Sequence, residues 1–201
     1  MAPQLAAAET AEEKEIYDLL DAAVDAQFTH AFDSLAGMMH PRSLRLFRDR
    51  LSAGYDQLLR YFALDEIAFV SGLSKHPKDV GLTDAEVFMV ACGRAAERDA
   101  EFVGDAKFLP LNVHGTVFKA KDEANVVYSY TGVIQTDRTH FEYLQPLLMT
   151  FRRERGKWMI FSCLLARRIV EDWWRDLSAF KVWDKQPQSE IASPSSNGQP
   201  R

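Results

Sequence analysis

Three side chains could act on a carbonyl or a water if the fold gathers them: His114, Tyr128 and Asp65. A histidine exchanges a proton near neutral pH, and a tyrosine hydroxyl can hold an oxyanion. His114 opens an extended segment, while Tyr128 and Tyr130 share one face of the next. Tyrosine is also an ordinary strand residue with no chemistry attached. Asp65 and Glu66 precede the short apolar run Ile67–Val70 and offer a carboxylate base, or else a solvated connection. Tyr17 lies on the apolar side of an N-terminal helix, where it can bind a ligand or simply pack its ring. Trp173 and Trp174 sit in an amphipathic C-terminal stretch that must bury its stripe, either on its own domain or on another subunit.

Other chemistries find little footing. His40, His76 and His140 each adjoin a turn and have no metal-ligand spacing, so neither a metal nor a cofactor is expected. The two cysteines, Cys92 and Cys163, lie among apolar neighbours and read as buried thiols. No serine occupies a nucleophile-elbow pattern, and no glycine-rich loop opens a helix to cradle phosphate. A net charge of −5 argues against nucleic-acid binding by bulk charge. No apolar run approaches the roughly 18 residues of a membrane helix. The N-terminus lacks a signal-peptide pattern, and a cytoplasmic location is expected.

The elements that would position these residues follow from periodicity. Ile16, Leu19, Leu20, Ala23, Gln27, Ala31 and Leu35 keep helical spacing, and Thr10 with Glu13 forms a capping-box pattern before them. A second helix begins at Pro41 and runs through Leu44, Phe47, Leu51, Tyr55 and Leu58 to about residue 63. Ile67–Val70, closed by Gly72, reads as a short strand. Thr83 with Glu86 is a second capping box, opening a shorter helix through Val87, Val90, Ala91 and Ala95. After Pro110 the period falls to two. Val113–Ala120 and Asn125–Ile134 form one hairpin, and Leu147–Arg153 and Lys157–Leu165 a second around Glu154-Arg155-Gly156. Ile169, Val170, Trp173, Trp174, Leu177 and Phe180 close with a helix. Helices grouped before antiparallel strands define an α+β class. Residues 1–9 are expected to be a flexible N-terminus, 10–183 one domain, and 184–201 a disordered tail.

The closing hairpins, ANVVYSYTGVI followed by LLMTFRRERGKWMIFSC, resemble the strand, strand, charged Gly-turn, Lys-Trp, strand ending of the nuclear transport factor 2-like superfamily. The resemblance covers roughly residues 10–166 and rests on element order and this motif. It implies a cystatin-like α+β architecture: N-terminal helices packed on a strongly curved antiparallel sheet that forms a cone with a pocket. It also implies a homodimer through the outer face of the sheet. Members include ketosteroid isomerases, scytalone dehydratases and polyketide cyclases beside many non-catalytic binding domains, so fold does not select function. Asp65 falls near the place of the isomerases' catalytic aspartate, although YFALDEIAFV does not reproduce their motif. Longer helices, extra residues around 74–112 and the Trp-rich C-terminal stretch also depart from the small enzymes.

The function expected is therefore binding of a hydrophobic small molecule, a protein partner, or both. The rival is a cofactor-independent isomerase, dehydratase or cyclase using His114 with Tyr128, Tyr130 or Asp65 in one shared cavity. Two opposite charge patches could steer a partner or pair across a dimer, or else are the solvated faces of one domain. Arg152, Arg153, Arg155, Lys157, Arg167 and Arg168 oppose only Glu154, a local balance of +5, while residues 9–25 carry −6.

Overall fold

A computed structural model describes residues 10–103, 105–108, 112–135, 140–162 and 164–184, with side chains described at 10–97, 112–129, 146–162 and 167–179. The N-terminus, residues 1–9, lies outside the described residues. So do Cys163 and the expected tail, apart from Asp184.

Helix α1 (Ala11–Phe28) starts where its capping box places it. Thr10 Oγ1 accepts from the Glu13 N–H at 3.1 Å, and the Glu13 carboxylate accepts from the Thr10 N–H at 2.9 Å. The apolar stripe expected to continue to Leu35 is cut after Phe28. His30 takes a left-handed φ of 57°, a conformation histidine tolerates better than branched residues. A separate helix, α2 (Phe32–Met38), follows. Helix α3 (Pro41–Leu58) begins at its proline, with His40 Nδ1 accepting from the Arg42 N–H at 3.1 Å.

The run expected as a strand is helical: α4 (Leu64–Ser71) contains Ile67–Val70. The Glu66 carboxylate accepts from the Ala63 N–H at 2.6 Å, and Gly72 ends the helix at φ 72°, a left-handed cap. Ile67 and Val70, three apart, face the core. Helix α5 (Asp84–Val103) opens at the second capping box, where Thr83 and Glu86 exchange bonds at 2.7 and 3.2 Å. It is longer than its apolar spacing suggests. The sixth helix, α6 (Leu164–Asp184), includes the Trp pair.

The helical core centres on α3. Phe47 meets Phe88 of α5 edge-on at 5.0 Å, and Tyr55 meets Trp173 of α6 at 6.4 Å. Gly54 lets α3 and α6 approach closely, since a Cβ there would lie 2.6 Å from Val170 Cγ1.

The strands are β1 (Asp105–Phe108), β2 (Asn112–Ala120), β3 (Glu123–Gln135), β4 (His140–Glu154) and β5 (Lys157–Ile160), all in one antiparallel sheet. β3 pairs with β4 along its whole length, while β2 and β1 share its other edge. Residues 105–108 carry no strand signal in the sequence, and β5 is shorter than expected because α6 begins at Leu164. Arg155 at φ 52° and Gly156 at φ 83° make the tight β4–β5 turn. The β5 edge is fastened to the helices: the His40 N–H donates to the Ile160 carbonyl at 2.8 Å, and Ser43 Oγ donates to the Phe161 carbonyl at 3.3 Å. The class is α+β with an antiparallel sheet.

Candidate functional site

The register of the sheet sorts the candidate residues by face. Ala124, Val126 and Tyr128 of β3 are buried and define an inner face, continued by Phe151, Arg153, Trp158 and Ile160. Asn125, Val127 and Ser129 alternate with them on the outer face, where Val127 is exposed but Asn125 and Ser129 are buried as well. A register shift at His114 decides what β2 contributes, because two residues there oppose one on β3. The shift turns Thr116 and Phe118 inward. His114 bonds outward, with Nε2 2.7 Å from Ser129 Oγ.

His114 and Tyr128 therefore lie on opposite faces. Tyr128 sits between Val113 and Leu147. Asp65 is in a different layer, exposed in the first turn of α4, which packs on α5 and α6. No two of these three residues converge, so the shared cavity that the catalytic reading requires is not formed among them. Tyr130 stands opposite Gln145 in β3, and its side chain lies outside the described residues. Among the described residues, no group of three or more His, Cys, Asp or Glu side chains is gathered in a way that could hold a metal.

Tyr17 projects from α1 to the inner face, where Thr116 Oγ1 donates to its hydroxyl at 2.9 Å. Beside this pair, inward-facing Phe118 and Val113 remain 41% and 36% exposed, so α1 does not seal the inner face along β2. The indole of Trp158 lies 6.3 Å from the Phe118 ring, centre to centre. Arg153 lies over that indole at 4.7 Å, and its Nη2 donates to Glu12 of α1. The seam between α1 and the sheet is thus a row of Glu12, Arg153, Trp158, Phe118, Thr116 and Tyr17.

Thr116, Phe118, Arg153 and Trp158 were not among the residues expected at a site. Trp158 was visible only as part of the Gly-Lys-Trp turn, and Arg153 only as part of a basic cluster. The basic cluster is largely answered within the chain: Arg153 by Glu12, Arg152 by Glu123 at 2.7 Å, Arg155 by Glu154 at 4.0 Å and Arg167 by Glu171 at 2.8 Å. Of the two fates open to the C-terminal aromatic stripe, the packing shows cover for its own domain. Trp173 is buried against Tyr55, and half-buried Trp174 meets Tyr61 at 5.4 Å and Phe62 at 5.7 Å.

Burial displaces the proton affinity of Tyr55 and of Cys92. Burial pushes the Tyr55 hydroxyl up, against a smaller opposing hydrogen bond with Ser71. Burial also pushes the Cys92 thiol well up, which disfavours the nucleophilic thiolate. Comparison with known proteins finds no matching family model, no matching curated protein and no matching solved structure. Among the described residues, no helix is long and apolar enough to cross a membrane.

Proposed function

We propose that this chain is a non-catalytic binding domain of nuclear transport factor 2-like architecture, with its ligand seat on the inner face of the sheet beside α1. The observation that carries the reading is the unsealed inner face, where Phe118 and Val113 point inward yet remain open to solvent next to the Tyr17–Thr116 pair. Such a seat combines apolar walls with a few placed hydroxyls, the usual composition of a small-molecule site. The ligand is a small apolar or aromatic molecule. In the resembled family this seat corresponds to the interior of the cone. Separation of His114, Tyr128 and Asp65 supports binding over the isomerase, dehydratase or cyclase alternative. A cytoplasmic setting is part of the proposal.

The test is a titration of the folded chain with 1-anilinonaphthalene-8-sulfonate, a dye that brightens in apolar seats. A saturable rise in fluorescence is expected, with affinity weakened on the order of tenfold or more in Phe118→Asp. No rise with the native chain, or an unchanged affinity in Phe118→Asp, overturns the reading.

A second mode of binding is favoured by a separate observation. Val117, Val127 and Leu148, on the outer face, are 60%, 40% and 49% exposed. We propose that this face joins two copies of the chain into a homodimer.

A further inference from the structure

Two buried hydrogen-bond donors on the inner face lack acceptors, and they are neighbours. Among the described residues, Arg153 Nε and Trp158 Nε1 have no hydrogen-bond partner. They belong to stacked groups, with the guanidinium carbon 4.7 Å from the ring centre. Trp158 is fully buried, so bulk water does not serve its N–H. Buried donors normally find acceptors, which makes two orphans in one place an observation to explain. Among the described residues, the carboxylate that meets this arginine engages it incompletely. Glu12 accepts from Nη2, whereas a fork-to-fork pair between arginine and carboxylate uses two donors. Glu12 itself is partly exposed, in the first turn of α1, and can swing into water at little cost.

The geometry points to a seat for the carboxylate of an amphiphilic acid, in which Glu12 is an internal stand-in that an entering ligand displaces. The inference rests on the inner-face ligand reading and gives that ligand its head group. The incoming carboxylate would accept from Arg153 Nε and Trp158 Nε1, the donors Glu12 leaves unused. Its apolar body would lie along the exposed Phe118 ring, 6.3 Å from Trp158, toward the Tyr17–Thr116 pair. Glu12 and Tyr17 are five residues apart on α1, a helical rise of about 7.5 Å, and each reaches the inner face, Glu12 at Arg153 and Tyr17 at Thr116. A ligand with the same body and no charge would gain the apolar contacts alone.

Sodium decanoate and 1-decanol separate the two contributions, each titrated into the full chain by calorimetry. Decanoate is expected to bind on the order of tenfold tighter than decanol, the size of one charge-assisted hydrogen-bonded contact. Glu12→Gln, which removes the internal competitor, should strengthen decanoate binding and leave decanol unchanged. Arg153→Gln should abolish the preference for the acid. Arg153→Lys, which keeps the charge and loses the Nε donor, should lose most of it. Equal binding of acid and alcohol to the native chain overturns the carboxylate seat and leaves the inner-face reading standing. A Glu12→Gln effect that is the same for both ligands does likewise, and that substitution, at a partly exposed site, does not depend on the folding of the Arg153 variants. Failure of both ligands and of the dye to bind overturns both proposals.

Discussion

Glu13 and Glu86 hold equivalent posts at the starts of α1 and α5, each closing a capping box with a threonine. Backbone hydrogen bonds from Thr10 and Thr83, then the threonine hydroxyls, lower both carboxyl pKa values below the ordinary glutamate value. A group with a depressed folded-state pKa contributes stability that is fully present above its unfolded value. That contribution is lost as pH falls from the ordinary glutamate value through the lowered one. The melting temperature is therefore expected to fall in this acid window, and Glu13→Gln with Glu86→Gln should flatten the slope. Thermal unfolding followed by circular dichroism from pH 7 to pH 3 checks it. An unchanged slope in the double variant would mean that other carboxylates govern the acid limb.

Helix α4 has half of such a cap. Glu66 reaches back to the Ala63 N–H, but alanine has no oxygen to return the bond, although Ala63 has the extended backbone of a capping residue, φ −74° and ψ 158°. Ala63→Ser should complete the box and stabilise the fold by about 0.5–1 kcal/mol, raising the melting temperature by about 1–4 °C. Calorimetry decides, and a drop would show that the serine hydroxyl finds no partner. The same element shows why some of this fold is legible and some is not. Thr10/Glu13, Pro41 and Thr83/Glu86 act within one helical turn, so sequence alone locates the starts of α1, α3 and α5. Ile67–Val70 is too short for its apolar pattern to separate strand from helix. The break at His30 leaves the α1 stripe in phase, and β1 forms only because β3 offers it an edge. The site was harder still. A single extra residue at His114 turns Thr116 and Phe118 to the inner face, and no local pattern marks where a strand will bulge.

At the scale of the whole molecule, the sheet treats its two faces differently. The inner face receives α1, the Trp158 indole and the Glu12–Arg153 pair. The outer face carries Val127 opposite both Gly115 and Leu148, with Val117 beside them opposite Asn125. Polar pairs border this apolar patch: Thr150 with Asn125 at 2.9 Å, and Glu123 with Arg152 and Lys119. An apolar centre with a polar rim is the composition of an interface. The edge of β2 is poorly suited to the same task, because register shifts at both ends and Lys119 discourage strand addition. Two copies are thus expected to meet face to face, with Val127 near the two-fold axis. Sedimentation velocity should give a species of twice 22.9 kDa at tens of micromolar chain. Val127→Lys should weaken that association on the order of tenfold or more, as loss of a central contact does. Because Val127 is already solvent-exposed in the single chain, its melting temperature as a monomer should hardly move. A native chain that stays monomeric throughout, or a Val127→Lys dimer of undiminished affinity, would remove the outer face from consideration.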